Sequence, residues 1–181
     1  MNLIHTPIAG LLLLEPKVFG DERGHFFESH NDSRFKAAVG PVTFIQDNES
    51  ASVQGVLRGL HYQTAPKAQG KLVRVIQGSV WDVAVDLRKN SPTLGQHFGV
   101  ELNENNHLQM WIPAGFAHGF ITLSPRAIFQ YKVTDYWSKD NERCIQWNDP
   151  ELNIDWQFTG TPLLSPKDEQ GGRFSTADLF D

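Results

Sequence analysis

The amino-acid sequence predicts a single all-β domain, and three observations lead to that prediction. The chain has 181 residues, which is enough for one domain with a sizeable core. It contains 15 glycines and 10 prolines, which divide it into short segments. Many of these segments are apolar runs rich in β-branched and aromatic residues, a pattern typical of strands. No internal repeat, low-complexity segment or linker interrupts residues 1–181, so we treat them as one domain.

The charge and the cysteine content narrow the class of protein. The formal net charge is -5, with both signs scattered along the chain, which argues against a general nucleic-acid-binding surface. Cys144 is the one cysteine, so an intramolecular disulfide is excluded, which fits a reducing compartment. The apolar run at 11–14 is too short to cross a bilayer, and no basic segment with an apolar core precedes it. We therefore expect a cytoplasmic protein that binds neither nucleic acid nor membrane.

Residues 8–14 form the first predicted strand, which Pro16 ends. An edge strand has to be paired or covered, so this strand completes a sheet either in its own chain or in a partner's. The next stretch, FGDERGHFFES, carries Arg23, Phe26 and Glu28 past a bend at Gly24.

A short helix is predicted over 33–39, with Ser33 or Asp32 as its cap and Gly40 as its stop. Residues 44–48, FIQDN, are predicted to end a strand in amide side chains. Such side chains either hydrogen-bond a polar ligand or cap a loop.

The most informative stretch is 55–75, GVLRGLHYQTAPKAQGKLVRV, which we interpret as a hairpin. It brings together Arg58, His61 and Lys71, which can bind an anion, take a proton and stabilise an oxyanion. Strict alternation along a strand would point Arg58 and His61 to opposite faces. Both can face one ligand if the strand bulges, and Gly59 permits a bulge. Each residue also has a plain structural interpretation, as a core histidine, a surface ion-pair partner or a turn lysine.

The second half of the chain continues the strand pattern. Residues 80–87, VWDVAVDL, alternate so that Asp82 faces either a polar barrel interior or solvent. Further strands are predicted over 96–102 and in 110–123, the latter after a corner at Pro113 and Gly115. In 127–137, AIFQYKVTDYW, the alternation puts Tyr131 and Trp137 on one face.

The segment Pro113-Ala-Gly115-Phe-Ala-His118 is similar to the second histidine motif of the cupin barrels. Cupin metal sites need several ligands, and the first motif usually supplies two histidines one residue apart and an acidic residue. Here the corresponding residues are His61-Tyr62-Gln63, so an imidazole-rich site is incomplete. We expect a cupin-type jelly-roll barrel with a few short peripheral helices and no catalytic metal.

Five segments together resemble one family, that of the dTDP-4-dehydrorhamnose 3,5-epimerases. They are Arg58-Gly-Leu-His61-Tyr-Gln, Gln69-Gly-Lys71-Leu-Val-Arg74, Asp82-Val-Ala-Val-Asp86, PAGFAHGF and Phe129-Gln-Tyr131-Lys. The resemblance runs from FGDERGHFFES to the SPKD segment near the end of the chain. It implies a cofactor-independent 3,5-epimerisation of dTDP-4-dehydro-6-deoxy-D-glucose to dTDP-4-dehydro-L-rhamnose in dTDP-rhamnose biosynthesis. It also implies a homodimer that exchanges an N-terminal strand, which would suit residues 8–14.

The resemblance further implies a role for individual residues. His61 matches the general base, Asp168 its carboxylate partner, Tyr131 the general acid, and Lys71 the residue beside the 4-keto oxygen of the sugar. Trp137 matches the aromatic residue that stacks on thymine, with Tyr136 adjacent to it. The remaining substrate-binding positions are Arg23, Phe26, Glu28, Gln46, Asp47, Asn48, Arg58, His118, Glu142 and Lys167.

These residue types suit the chemistry. A ketone acidifies the hydrogens on both neighbouring carbons, so an enolate forms without an organic cofactor, and the sequence contains no nucleotide-cofactor fingerprint. Inversion needs a base on one face of the sugar ring and an acid on the other. An imidazole held by a carboxylate suits the first role, and a phenol that stays protonated at neutral pH suits the second.

Three alternatives stay open on the sequence. The first is a metal-dependent cupin enzyme with His61, His118 and Gln63 as ligands. The second is a non-catalytic module that binds a nucleotide sugar. The third is an epimerase of the same family that inverts C3 or C5 only.

Overall fold

The computed structural model describes all residues, 1–181, and confirms that strands dominate the chain. The strands are β1 (Asn2–His5), β2 (Leu12–Glu15), β3 (Phe19–Asp21), β4 (Gly24–Phe26), β5 (Gln46–Val53), β6 (Leu57–Gln63), β7 (Lys71–Gln77), β8 (Ser79–Asp86), β9 (His97–Asn103), β10 (Gln109–Ile112), β11 (Phe116–Thr122), β12 (Arg126–Val133) and β13 (Glu142–Cys144). Two short helices, α1 (Asp32–Val39) and α2 (Pro166–Glu169), lie at the periphery, with a 3-10 turn at Phe174–Thr176. No helix has the length and apolarity that a membrane crossing requires.

Two antiparallel sheets pack face to face and form the barrel. The first has six strands in the order β1-β2-β10-β7-β12-β5, and the second has five in the order β13-β6-β11-β8-β9. Strands β3 and β4 form a separate two-stranded ribbon. The jelly-roll architecture expected from the cupin resemblance is therefore confirmed.

The main core lies between the two sheets. Val73 and Phe129 of the six-stranded sheet pack there with Ala84 and Phe120 of the five-stranded sheet. These residues alternate with outward-facing ones, as the period of two in a strand requires. The interior is apolar at one end only, and its other end is lined by polar side chains of β5, β6, β7 and β12.

The outer face of each sheet is covered by a peripheral segment. Leu57 of β6 belongs to a cluster that also includes Trp156 and Leu152, so the C-terminal segment packs on the five-stranded sheet. Phe35 of α1 packs against Trp111 of the six-stranded sheet. The C-terminal cover matters for function because it carries α2 back towards β6.

The predicted hairpin over 55–75 is wrong. Strand β6 pairs with β11 and β13 in one sheet, whereas β7 pairs with β10 and β12 in the other. The segment TAPKAQG therefore crosses between the sheets instead of turning a hairpin. Glycine and proline mark where a strand ends, but they do not select its partner, which the packing of the two sheets decides. As a result, β6 and β7 form opposite walls of the interior.

Four element boundaries also differ from the predictions. The strand predicted over 127–137 ends at Val133, so Trp137 lies beyond β12 and strand alternation does not set its direction. The first predicted strand, 8–14, is shorter and later: β2 covers Leu12–Glu15 and pairs with β10 and β1 of its own chain. A strand is predicted to end in FIQDN, residues 44–48. Instead, strand β5 begins within this segment, at Gln46, and continues to Val53. Helix α1 begins at Asp32, and its N-cap is Asn31 rather than Ser33 or Asp32. Gly40 ends this helix as predicted.

Candidate active site

A histidine–carboxylate pair links the barrel wall to the C-terminal segment. His61 Nε2 on β6 lies 2.6 Å from Asp168 Oδ1 on α2. The same oxygen accepts the backbone N–H of Gly59 at 3.2 Å, and Oδ2 accepts the hydroxyl of Ser165 at 2.6 Å. Ser165 is also the N-cap of α2, so it fixes both the helix and the carboxylate. The Asp168 side chain is therefore held rigidly against the imidazole.

A bulge in β6 turns His61 towards the interior. Leu57, Leu60 and Tyr62 all belong to the outer cluster, so the alternation shifts by one residue between Leu57 and Leu60. The pairing of β6 with β11 shifts its register at the same place, as expected at Gly59. Gly59 has a φ of +144°, and a Cβ there would lie 2.5 Å from Gly119 Cα. Arg58 and His61 consequently share the interior face.

The imidazole opens into a polar cavity of about 140 Å³ between the two sheets. The cavity is lined by Gln46, Asn48, His61, Tyr62, Gln63, Gln69, Lys71, Tyr131, Trp137 and Glu142. Four larger cavities, of about 410, 580, 380 and 400 Å³, contain neither His61 nor Tyr131. We locate the site at the smaller cavity because its walls carry acid–base groups from different strands.

Burial tunes the ionisable groups of this cavity. It lowers the pKa of His61 from its ordinary value, against the opposing effect of Asp168. Burial raises the pKa of Asp168, but the hydrogen bonds from His61 and Ser165 outweigh it and bring that pKa to about 2. Because this carboxylate is ionised, it can only accept a hydrogen bond. His61 Nε2 therefore carries the proton, and Nδ1 is the basic nitrogen.

Lys71 and Tyr131 face His61 from the six-stranded sheet. Lys71 is buried, and its Nζ donates to the backbone oxygen of His61 at 3.2 Å. Burial lowers the pKa of Lys71 to about 8, partly offset by Asp82. Burial also raises the pKa of Tyr131 above its ordinary value, partly offset by Arg58. Near neutral pH, the cavity thus holds a neutral imidazole, a protonated phenol and an ammonium group.

Several predicted binding residues surround the cavity. Gln46 and Asn48 lie on its wall and share a 2.8 Å hydrogen bond. Glu142 lines the cavity, and its Oε1 accepts a 2.8 Å hydrogen bond from Lys167 Nζ. Trp137 lines the cavity and is 58% exposed, so a ligand can reach its side chain.

Arg58, His118 and Tyr136 lie close to the cavity without lining it. Arg58 Nε donates to Ser52 Oγ at 3.1 Å. His118 is buried, and its Nε2 lies 3.0 Å from Asp82 Oδ2. Tyr136 is exposed and does not line the cavity, which supports Trp137 as the stacking residue.

Four predicted residues lie away from this cavity. Asp47 points to the outer face of β5 and pairs with Lys132 at 2.8 Å, because it alternates with Gln46 and Asn48; its assignment as a binding residue stays a prediction. Within this chain, Arg23, Phe26 and Glu28 lie on or beside the β3–β4 ribbon, away from the cavity. Arg23 pairs with Asp21, Phe26 is 68% exposed, and Glu28 pairs with Arg34.

Sequence reasoning missed Ser165 and left Asp82 undecided. A serine three residues before Asp168, followed directly by Pro166, is the pattern of a helix N-cap, and it could have identified Ser165. Asp82 turns out to be fully buried and to face the interior, where it bonds His118. No local signal separated that orientation from a solvent-facing one.

The three ligands of the metal-dependent alternative, His61, His118 and Gln63, are all engaged in other hydrogen bonds. The side-chain amide of Gln63 donates to the backbone of Lys67 and Tyr136 and accepts from the backbone of Ser138. The two imidazoles are each bonded to a different carboxylate. His61, Cys144 and Asp168 do have ligand atoms within 4.8 Å of one another, but burial raises the pKa of the Cys144 thiol to about 12. A neutral thiol is a poor metal ligand.

A jelly-roll barrel whose cavity places an imidazole–carboxylate pair opposite a phenol and an ammonium group defines an enzyme of the isomerase class, one that moves protons at carbon. The sequence profile of the dTDP-4-dehydrorhamnose 3,5-epimerases matches residues 5–176. The chain therefore belongs to the dTDP-4-dehydrorhamnose 3,5-epimerase family.

Individual relatives agree with this assignment. The chain is 59% identical over 181 residues to the dTDP-4-dehydrorhamnose 3,5-epimerase of Pseudomonas aeruginosa, with 99% of each chain covered. It is similar to the crystal structure of a dTDP-6-deoxy-D-glucose-3,5-epimerase from Legionella pneumophila in complex with dTDP-4-keto-L-rhamnose, with a TM-score of 0.95, 49% identity, and coverage of 99% of this chain and 97% of that chain. A dTDP-4-dehydrorhamnose 3-epimerase from Streptomyces niveus is 39% identical over 170 residues, with 93% of this chain and 82% of that one covered.

Proposed function

We propose that the protein converts dTDP-4-dehydro-6-deoxy-D-glucose to dTDP-4-dehydro-L-rhamnose by inverting C3 and C5 without a cofactor. One observation supports this most strongly: the imidazole of His61, bonded to Asp168, and the phenol of Tyr131 line one cavity from opposite sheets. A sugar ring between them meets a base on one side and an acid on the other.

The base acts first in this proposal. His61 Nδ1 takes the proton from the carbon beside the ketone, the C–H electron pair forms the enolate, and negative charge moves to the 4-keto oxygen. Asp168 stabilises the imidazolium that forms, because its carboxylate accepts a 2.6 Å hydrogen bond from Nε2 of His61. Lowering of the His61 pKa by burial keeps the imidazole unprotonated, and so ready to act, near neutral pH.

The acid and the oxyanion stabiliser come from the other sheet. Lys71 stabilises the enolate oxygen, since a buried ammonium group is a preorganised donor. Tyr131 returns a proton to the opposite face of the carbon, which inverts it. His61 then gives its proton to water and Tyr131 takes one from water, which restores both groups. Repeating the sequence at the second carbon completes the epimerisation.

The nucleotide lies outside the cavity in this proposal, because about 140 Å³ accommodates little more than a sugar ring. The exposed side chain of Trp137 supplies a stacking surface for thymine. Arg58 and Lys167 supply positive charge for the diphosphate. The catalytic groups thus lie at the closed end and the nucleotide-binding groups at the open end.

Proton NMR of the 4-keto sugar nucleotide with the enzyme in deuterated water tests the proposal. We expect deuterium to enter at both C3 and C5, with inversion at each, and treatment with a chelator to leave the rate unchanged. Binding without exchange would contradict catalysis and support a binding module. Exchange and inversion at one carbon only would support the single-carbon alternative. This alternative is a realistic one because the 39% identical relative from Streptomyces niveus is a 3-epimerase.

We further propose a cytoplasmic homodimer in which a second copy supplies Arg23, Phe26 and Glu28 to each cavity, with an N-terminal segment exchanged. The β3–β4 ribbon that carries Arg23 is exposed along its whole length, and the Phe26 side chain is 68% exposed. Mixing unfolded Arg23→Ala and His61→Asn chains and refolding them tests this. In an equimolar mixture half of the dimers are hybrids, and one of the two sites in each hybrid is intact, so the mixture would regain up to about a quarter of the wild-type activity. If mixing restores no activity, Arg23 either acts in the same site as His61 of its own chain or belongs to no active site.

A further inference from the structure

A second histidine–carboxylate pair lies directly behind the cavity. Asp82 on β8 faces the interior and is fully buried, and its two carboxylate oxygens lie 3.0 and 3.1 Å from His118 Nε2. His118 in turn is the Cα partner of His61 across β11 and β6. Neither Asp82 nor His118 lines the cavity itself. The pair is thus one layer behind the reacting groups.

We propose, on the basis of the function proposed above, that Asp82 is a positioning residue that holds His118 in one tautomer and keeps the ammonium group of Lys71 charged. Stability alone explains such a residue poorly. Replacing a buried ion pair with apolar residues is often neutral or stabilising, and the residues next to Asp82 along β8, Trp81 and Val83, are both apolar. A carboxylate at this position therefore points to a role in the chemistry.

The effect on Lys71 follows from the charges that surround it. Lys71 reaches the interior from β7, and Asp82 from β8, Glu142 from β13 and Lys167 from α2 act on it there. Of these, Asp82 opposes the effect of burial most strongly, Glu142 also favours the charged form, and Lys167 disfavours it. His61 on β6 contributes its backbone oxygen at 3.2 Å. Removing the Asp82 charge leaves Lys71 buried with one hydrogen bond and a weaker anionic environment.

The effect on His118 is a matter of hydrogen-bond direction. A carboxylate accepts, so the proton lies on His118 Nε2 and Nδ1 is the bare nitrogen. The imidazole stacks on Phe129 at 6.0 Å, which fixes the plane of the ring. With an amide at position 82, the bond could reverse and the tautomer would no longer be fixed.

The test compares Asp82→Asn with the wild type by titrating Lys71 in protein labelled with 13C at lysine Cε, without substrate. Lys71→Arg assigns the signal. We expect the midpoint of Lys71, about 8 in the wild type, to fall by about one unit or more in Asp82→Asn. The alkaline limb of kcat/KM should move by the same amount, a shift that a merely structural role would not produce.

Asp86→Asn is the matched control. Asp86 is also a fully buried aspartate on β8, but its carboxylate bonds Arg88, Ser91 and Thr93 instead of the groups around the cavity. This variant should leave the Lys71 midpoint and the alkaline limb unchanged. An unchanged Lys71 midpoint in Asp82→Asn would overturn the inference, as would an equal shift in both variants.

Two NMR measurements on the wild-type protein test the inference without the variant. If Asp82→Asn does not fold, the 13Cγ signal of Asp82 in the wild type should show a step at the Lys71 midpoint, and its absence would overturn the inference. In the wild type, 15N shifts should show His118 protonated at Nε2 and bare at Nδ1. Because these titrations need no turnover, a wild-type protein that fails to exchange C–H bonds would refute the proposed function separately.

Discussion

Asp168 accepts a 2.6 Å hydrogen bond from His61, a residue 107 positions earlier in the chain. The bond depends on the C-terminal segment folding back over the outer face of the five-stranded sheet, where Trp156 and Leu152 pack beside Leu57. The isolated strand β6 therefore carries a histidine but no oriented base. The base exists only when the C-terminal segment is docked.

Replacing His61 with asparagine should abolish deuterium incorporation at both carbons. The variant lacks a group that takes a proton near neutral pH, so exchange should slow by at least roughly 10² to 10⁴. Proton NMR in deuterated water measures the exchange. His97→Asn on β9 is the control, since it makes the same change outside the cavity, and it should exchange at the wild-type rate. Near-normal exchange by the His61 variant would remove this residue as the base.

Tyr131→Phe should spare exchange more than inversion. The variant keeps the base and the oxyanion stabiliser but lacks the hydroxyl that reprotonates the opposite face, so deuterium should return mainly with retained configuration. The same NMR experiment separates the two rates. Tyr62→Phe is the comparison variant: Tyr62 also borders the cavity, but its side chain packs in the outer cluster, so loss of its hydroxyl should leave both rates unchanged. If Tyr131→Phe epimerises as fast as the wild type, the acid lies elsewhere.

The pH dependence of kcat/KM should be bell-shaped. The base must be unprotonated, so activity falls as the pH drops through the His61 pKa, which burial places below 6.5. The ammonium group must be charged, so activity falls again as the pH rises through about 8, the pKa of Lys71. Tyr131 does not set the alkaline limb, because its pKa is raised above 10. In Lys71→Arg the fall in kcat/KM near pH 8 should disappear, because arginine stays charged there. If the fall persists in this variant, it is caused by a group other than Lys71.

Ser165→Ala should weaken the action of His61 as a base, although Ser165 bonds Asp168 and not the substrate. The variant loses the 2.6 Å bond to Asp168 Oδ2 and the N-cap of α2. We expect kcat to fall about tenfold and the free energy of unfolding to fall by about 1 kcal/mol, as for other lost caps. Steady-state kinetics and thermal unfolding measure the two effects, with the exposed Ser175→Ala as control. Full activity in Ser165→Ala would show that α2 holds Asp168 without this bond.

Arg58→Ala should weaken the binding of plain dTDP as well as that of the full substrate. The guanidinium group supplies charge for the diphosphate, and loss of a hydrogen bond to a charged group costs about 1.5–3 kcal/mol, or roughly 10- to 100-fold in Kd. Isothermal titration calorimetry measures both affinities. Arg126→Ala removes an exposed arginine at the start of β12 and should leave them unchanged. Unchanged dTDP affinity in Arg58→Ala would mean that the diphosphate binds elsewhere.

Much of the fold and part of the site follow from local patterns in the sequence. Turn residues and strand-like runs predict the all-β class, and the period of two places Tyr131 towards the interior. The glycine at position 59 correctly predicts the bulge that turns Arg58 and His61 to one face. These features depend on a few neighbouring residues, so the sequence alone determines them.

Tertiary packing decided the rest. The choice of partner put β6 and β7 in different sheets and so made His61 and Lys71 face each other instead of lying on one hairpin. Burial decided that Asp82 faces inwards, and the packing that turned Gln46 and Asn48 into the cavity left Asp47 facing outwards. The physical reason is the same in each case: the direction of a side chain along a strand is a local property, whereas the surface that covers it comes from residues distant in sequence.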